Sequence, residues 1–314
     1  MSVLRIGTRG SALALWQANE VARQLRALPG VPTVEIITIK TQGDLNQVVP
    51  LWATDGKGFF TAELDRALLD KDVHLVVHSL KDLTTVLPAG IALSAVLERE
   101  DPRDALVTRG DVGLTALPQG ASLGTSSLRR RAFLARLRPD LEHLELRGNV
   151  PTRLRKLDDG GYDAIILASA GLKRLDLADR ISQPLEFDEC PSAVSQGAVA
   201  ITIREGDAAV GRWTAPLDHQ DTRTAVTAER ALLRRLEGGC QVPVGGLATV
   251  VRDQVILRAV VCSIDGKEYM RVEETGAVQD AAAVGERAAA ALLAKGAAHV
   301  LAGVQAKRAA AASK

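Results

Sequence analysis

Three groups of residues have types and spacing that could do chemistry. The first is Glu237-Gly238-Gly239-Cys240-Gln241-Val242-Pro243-Val244-Gly245-Gly246, one thiol among four glycines, set after a long helical pattern and before a run of strands. Glycine lets a backbone take positive φ and approach a ligand closely, so the thiol is placed to carry a covalent group. A structural turn holding an incidental cysteine accounts for the same residues. The second group is His78-Ser79-Leu80-Lys81-Asp82, after the apolar strand Val73–Val77. In open α/β sheets ligands sit beyond the carboxyl ends of strands. Lys81 can meet an anion, and Asp82 can serve as acid, base or partner to a cation. A solvated Lys-Asp pair capping the next element would look alike. His78 reads as a hydrogen-bonded packing residue, and His74 carries no separate signal.

The third group suits a polyanion. Val3–Gly7 feeds Thr8-Arg9-Gly10-Ser11, then a helix with Ala14, Ala18, Val21, Leu25 and Leu28 at helical spacing. Free N–H groups at such a helix start converge on one point, and Arg9 adds a fixed positive charge. An ordinary βα turn with a surface arginine is the plain alternative. A similar sequence returns at Ala121–Leu123 and Gly124-Thr125-Ser126-Ser127-Leu128-Arg129-Arg130-Arg131, with Ser/Thr residues to cap the helix. Residues 124–156 hold nine Lys/Arg and three acids, a local +6 in a chain of net charge +1. The asymmetry points to an anion held at one place, not to a global field. Arg147 lies at a strand's carboxyl end and Arg153 one turn into the helix that Pro151 opens, both toward the rim of Arg129. Arg136, Arg138, Arg155 and Lys156 read as solvated helix faces; Arg174 belongs to the helix after Ala168-Ser169-Ala170-Gly171.

Two similar α/β lobes must face each other to bring these groups together. Thr41 to Gly58 lacks periodicity and reads as a lid. The charge run from Glu98 to Asp104 reads as a solvated crossing between lobes. Cys190 to Gly197 reads as the return, after which Val199–Ile203 rejoins the first sheet. The expected architecture is two periplasmic-binding-protein-like (type II) α/β lobes around a hinged cleft, lobe 1 from 1–98 and 198–217 and lobe 2 from 103–193. A C-terminal α+β domain over 220–304 follows: a helix Asp221–Leu236, a small antiparallel sheet, and one alanine-rich helix Ala281–Leu301. Residues 305–314 are expected to be disordered. Cys190 and Cys262 read as structural or incidental.

Composition narrows the classes. Aromatics at 3% leave little for base stacking, and three irregularly spaced cysteines without a CxxC argue for a reducing compartment and against zinc. No run of about 18 apolar residues occurs. The expectation is a cytoplasmic monomer with no metal, no nucleic acid and no membrane partner.

Arg5-Ile6-Gly7-Thr8-Arg9-Gly10-Ser11, Gly56-Lys57-Gly58, Val77-His78-Ser79-Leu80-Lys81-Asp82-Leu83 and Arg99-Glu100-Asp101-Pro102-Arg103-Asp104 stand in order along the chain. Gly124-Thr125-Ser126-Ser127-Leu128-Arg129-Arg130, Leu146-Arg147-Gly148-Asn149-Val150, Gln196-Gly197-Ala198 and Glu237-Gly238-Gly239-Cys240 continue the series. Together they closely resemble the porphobilinogen deaminase (hydroxymethylbilane synthase) family over nearly the whole length. The resemblance implies a transferase of tetrapyrrole biosynthesis that joins four porphobilinogen molecules, each losing ammonia, onto a dipyrromethane cofactor. That cofactor would be thioether-linked to Cys240, and hydroxymethylbilane would be released by hydrolysis. Asp82 matches the family's catalytic position. Arg9, Arg129, Arg130, Arg147, Arg153 and Arg174 match its carboxylate-binding positions. Ser11, Lys57, Ser79, Lys81, Thr125, Ser127 and Gln196 match supporting contacts. Thr84, Asp55 and Ser195 depart from the usual pattern; the first would loosen the loop after Asp82 and the last would stiffen the hinge.

Two other classes use part of the same signal. A solute-binding module would need the cleft but neither Cys240 nor a third domain. A nucleic-acid binder would need an extended basic face, and its affinity would fall steeply with salt.

Overall fold

The computed structural model describes residues 1–45, 61–236 and 242–312. Lobe 1 begins with β1 (Val3–Thr8), α1 (Ala12–Arg26), β2 (Thr33–Thr38), α2 (Gln42–Leu45), α3 (Ala62–Leu69), β3 (Leu75–Ser79) and β4 (Ile91–Val96). Lobe 2 follows as β5 (Asp104–Thr108), β6 (Ser122–Gly124), α4 (Leu128–Leu137), β7 (Glu142–Leu144), α5 (Val150–Asp158), β8 (Ala164–Ala168), α6 (Ser169–Arg174) and β9 (Gln183–Leu185). The chain returns through β10 (Val199–Arg204) and α7 (Ala208–Thr214). It ends with α8 (Gln220–Arg235), β11 (Val244–Val251), β12 (Gln254–Cys262), β13 (Tyr269–Ala277), α9 (Ala281–Ala294) and α10 (Ala297–Ala312).

The two large sheets follow one plan, β2-β1-β3-β10-β4 and β7-β6-β8-β5-β9. In the first, β1 runs parallel to β2 and β3, whereas β10 is antiparallel to β3 and β4. In the second, β6 runs parallel to β7 and β8, whereas β5 is antiparallel to β8 and β9. Each lobe therefore receives its antiparallel strand from a crossing that leaves the other. The central strands are covered on both faces, which is why Leu75–Val77 and Ile165–Leu167 are unbroken apolar runs, all buried. In α1, Ala18, Val21, Ala22 and Leu25 form the face packed on this core, and Ser11 caps the helix by accepting from the Ala14 N–H at 3.3 Å.

The third domain bridges the lobes. Its sheet, β11-β12-β13, packs one face on α8 and α9 through Leu232, Leu257, Val284 and Ala288. Leu247, Val260 and Cys262 join Phe133, Phe187 and Cys190 of lobe 2 in one apolar cluster. Val226 of α8 packs with Leu80, Leu83, Val96 and Ala200 of lobe 1. Arg230, also on α8, donates to the carbonyl of Thr84 at 2.6 Å and to that of Leu83 at 3.4 Å. The peptide after Asp82 is thus held by the third domain.

Three expectations are corrected. The Glu98–Asp104 run is not a solvated crossing: Arg99 forks onto the buried Glu229 of α8 at 2.5 and 3.2 Å, and Asp104 is fully buried. Glu229 also accepts from the N–H of Ser195 (2.6 Å) and of Ala248 (2.8 Å), so one carboxylate ties both crossings to the third domain. Breaking such a pair from one side costs about 3–5 kcal/mol, because a charge stays buried without compensation. The alanine-rich helix is two helices, bent by 86° at Lys295-Gly296, where Gly296 takes φ +99 and stops α9. The stretch expected to be disordered from 305 continues as α10 to Ala312. No single helix among the described residues is long and apolar enough to cross a membrane; α9 and α10 pass only as a bent pair, and Ala288, Leu292 and Val300 lie in the third domain's core.

Ser195, in the return crossing, has φ +64 and a buried hydroxyl without a partner among the described residues. Left-handed backbone costs a non-glycine residue about 1–2 kcal/mol, and glycine gives back about 0.5–1 kcal/mol through its freer unfolded chain. Ser195→Gly keeps the backbone N–H on Glu229. It is expected to raise stability by about 1 kcal/mol, read as a higher urea midpoint with unchanged slope. A lower midpoint would mean the hydroxyl has a stabilising role.

Candidate active site

β3 ends at Ser79, and a single short turn, Leu80–Asp82, follows it. Leu80 is fully buried and anchors the turn, which leaves Lys81 and Asp82 partly buried beside it. Asp82 lines a cavity with Arg9, Ser11, Gln17, Thr61, His78 and Ser79. This brings together the end of β3 and the β1–α1 turn, the two anion-suited groups of lobe 1. Gln17, 2% exposed, is hydrogen-bonded to Ser79 Oγ at 2.9 Å. His78 is buried with Nε2 3.2 Å from Thr202 Oγ1. Burial, with the charge of Arg9, pushes its pKa down to about 3, so it stays a neutral packing residue as the sequence suggested.

Lobe 2 presents its cations to the same place. Arg153 donates from Nε to the Gly148 carbonyl at 2.7 Å. Desolvation, followed by the like charges of Arg130 and Arg147, pushes its pKa down to about 10, and Asp82 opposes that fall. Asp82 of one lobe and Arg153 of the other therefore sense each other's charge. Arg147 is half-buried and its pKa is lowered by desolvation. Asn149 caps α5 by accepting from Thr152 N–H at 3.0 Å, fixing the helix start between these two arginines.

Arg129 and Arg130 are not open forks. Both are buried, and both grip Asp104 at the start of β5: Arg129 Nη2 to Oδ2 at 2.6 Å, Arg130 Nη2 to Oδ1 at 2.7 Å. Arg129 also donates to the Pro191 carbonyl, and Arg130 to that of Ile166 at 2.9 Å. Two guanidinium groups on one carboxylate hold the Asp104 pKa well below the usual carboxylate range, against the opposing pull of burial. Arg130 Nε is buried with no hydrogen-bond partner among the described residues. Such an atom is a donor waiting for an acceptor. Ser127 accepts from the Arg130 N–H at 3.4 Å and Thr125 Oγ1 from the Ser127 N–H at 3.3 Å, so these two hydroxyls shape the turn that carries the arginines. Arg174 donates to the Gly197 carbonyl at 2.6 Å and lies over the Trp16 ring at 5.5 Å, bracing α6 against α1. Gln196, 1% exposed, accepts from Lys81 Nζ at 3.1 Å and donates to Asp104 Oδ1 at 2.9 Å and the Pro102 carbonyl at 2.8 Å.

Cys240 and Lys57 lie outside the described residues. Of the rest, Arg9, Ser11, Ser79 and Asp82 line one cavity, and Lys81, Arg129, Arg130, Arg147 and Arg153 are linked to Asp82 or to one another by charge, whereas Arg174, Gln196, Thr125 and Ser127 brace the elements that carry them. Sequence reasoning missed Asp104, Gln17 and Trp16. Gln17 left a trace as the polar residue on the buried face of α1. Asp104 did not, because a carboxylate inside a charge run looks solvated until its burial is seen.

Residues 4–212 match the family model for "Porphobilinogen deaminase, dipyromethane cofactor binding domain", and residues 223–294 match "Porphobilinogen deaminase, C-terminal domain". The chain belongs to the porphobilinogen deaminase family. Porphobilinogen deaminase of Syntrophotalea carbinolica is 49% identical over 302 residues, 96% of each chain, and that of Moorella thermoacetica is 47% identical over 98% of each. Among solved structures, the methionine binding protein MetQ aligns with TM-score 0.45 at 14% identity, covering 69% of this chain and 89% of its own. The aliphatic sulphonate binding protein SsuA from Escherichia coli aligns with TM-score 0.39 at 14% identity, covering 76% and 71%.

The site suits the family's dipyrromethane. Each pyrrole brings an acetate and a propionate, and the gathered cations, Arg9, Lys81, Arg129, Arg130, Arg147 and Arg153, outnumber the acids Asp82 and Asp104. The unmatched Arg130 Nε is a donor of the kind a carboxylate takes up.

Proposed function

We propose that this chain is a hydroxymethylbilane synthase, condensing four porphobilinogen molecules on a dipyrromethane held by Cys240 and releasing the linear tetrapyrrole by hydrolysis. One observation carries the reading: Asp82 lines a cavity with Arg9, Ser11 and Ser79 while feeling the charge of Arg153 from the opposite lobe. An acid at the centre of a cationic cleft is what a substrate needs that carries carboxylates outside and becomes cationic at its ring.

The roles follow from charge. Arginine forks bind carboxylates bidentately and keep their charge at any working pH; Arg147 and Arg153 would orient substrate acid groups, with Lys81, Ser11 and Ser79 as further donors. When the C–N bond of porphobilinogen breaks, ammonia leaves with the electron pair and the remaining ring is cationic. Asp82 would stabilise that ring through its N–H and accept the proton lost when the new carbon–carbon bond forms. Bound dipyrromethane supplies the electron-rich ring carbon onto which substrate is joined. Arg129 and Gln196 would act from behind, by holding the cationic wall in shape, and Arg130, anchored on Asp104, would offer its Nε to a carboxylate. The chain would work alone in the cytoplasm, where its thiols stay reduced.

Intact mass of the purified protein tests the reading. It should exceed the sequence value by two pyrrole units, the protein should colour with Ehrlich's aldehyde reagent, and added porphobilinogen should be consumed with release of ammonia. A bare polypeptide mass in an active preparation would remove the covalent cofactor from the scheme.

A further inference from the structure

Lys81 of lobe 1 and Asp104 of lobe 2 are joined through one amide. Gln196 turns its oxygen to the ammonium at 3.1 Å and its nitrogen to the carboxylate at 2.9 Å, and its second amide hydrogen goes to the Pro102 carbonyl at 2.8 Å. The amide therefore has one satisfied orientation. Asp104 is in turn fixed by Arg129, Arg130 and the Cys190 thiol, at 2.6, 2.7 and 3.4 Å.

We propose that Asp104 and Gln196 form a relay across the hinge that positions Lys81 as a charged anion-binding group, which makes Asp104 a positioning residue of the site although no substrate atom need touch it. The inference rests on the hydroxymethylbilane synthase reading only for its activity arm. Among the described residues, the groups facing Lys81 are Asp82 on its own turn, Asp104 on β5, Arg129 and Arg130 on α4, and Gln196 in the return crossing. Desolvation and the two arginines favour the neutral amine; the two carboxylates favour the ammonium. The balance brings the Lys81 pKa down to about 8. Its charge, and the anion binding that depends on it, is complete below that pH and lost above it. Asp104 contributes to that balance, since without it Asp82 is the one carboxylate among the described residues that offsets the two arginines.

The test follows Lys81 directly. Lysine Cε is labelled with carbon-13 in the enzyme as purified, and the Lys81 resonance is identified by its loss in Lys81→Arg. Asp104→Asn should lower its titration midpoint by roughly one pH unit or more, the shift that loss of a nearby opposite charge produces. Gln196→Met, which removes the relay but keeps the carboxylate, should lower it in the same direction. The alkaline limb of kcat/KM for porphobilinogen should move down with it, and Lys81→Arg should flatten that limb. A midpoint unmoved in a folded Asp104→Asn protein overturns the proposal; if that variant does not fold, an unmoved midpoint in Gln196→Met does so. An unmodified mass and no porphobilinogen consumption in the wild type would instead fault the functional reading, and the resonance arm would still decide the relay.

Discussion

Cys240→Ser yields a protein whose intact mass equals its sequence value, which gives no colour with Ehrlich's reagent and consumes no porphobilinogen. A thiol ionises within reach of neutral pH and its sulfur is strongly nucleophilic, whereas a serine hydroxyl without a base beside it is neither. The substitution changes one atom of the chain, so the loss of turnover reports attachment alone. A second consequence follows from the charges already placed. Lys81, Arg129, Arg130 and Arg153 face one another across the hinge with Asp82 and Asp104 as their neighbouring acids. Burial first, and that crowding after it, lowers the pKa values of Lys81 and Arg153. A bound group rich in carboxylates relieves it, and whatever binds only the folded state stabilises that state. Cys240→Ser should therefore melt below the wild type, and the gap should narrow as salt screens the cationic wall. A variant that keeps the extra mass would move the attachment point elsewhere. Equal melting temperatures at low salt would mean that the cations are balanced without the cofactor.

The lobe architecture was legible because its signals are local. Strands buried on both faces must be continuous apolar runs, as at Leu75–Val77 and Ile165–Leu167, and the repeated strand–Gly-Thr–polar turn–helix pattern announces two copies of one plan. The strands at Ile91–Val96 and Val199–Ile203 were read from apolar runs of the same kind. What failed was contact at a distance. Nothing near Arg99 or Asp104 in the chain says that Glu229 or Gln196 will close over them, so a run of six charged residues and a proline read as solvated crossing. The helix break at Gly296 was available in principle, since a glycine after Lys295 is a helix stop, but the alanine content on either side outweighed it. The site shows the same division. The places of Arg9, Ser79 and Asp82 at strand ends were legible and the resemblance gave them roles, whereas the pairing of Arg129 and Arg130 with Asp104, and the capture of the Gln196 side chain by Lys81 and Asp104, depend on which carboxylate the fold carries inside. Charge counting found the cationic stretch and could not find its counter-ion.

Asp82→Ala should retain the two-pyrrole mass, fold, and lose turnover by about a hundredfold or more, the usual effect of removing one group that stabilises developing charge in a water-poor site. Three features separate this from a general loss of structure. Leu80, not Asp82, anchors the turn in the core; the peptide beyond it is held independently by Arg230; and the carboxylate, partly buried where it lines the cavity, makes no hydrogen bond among the described residues that another element depends on for its position. Stability should change little, and the melting temperature of the variant is the control. Asp82→Asn keeps the shape and removes the charge, so it should lose nearly as much rate as the alanine variant. Asp82→Glu keeps the charge one methylene away and should recover part of that loss. This order, Glu above Asn and Ala, belongs to an electrostatic and proton-accepting role; a purely steric role would put Asn first. The step affected can be read by single turnover with one equivalent of porphobilinogen, where ammonia release should slow in parallel with chain growth. Near-normal turnover in Asp82→Asn would leave the cationic ring without its partner in this cleft, and another acid would have to be found among residues that line it.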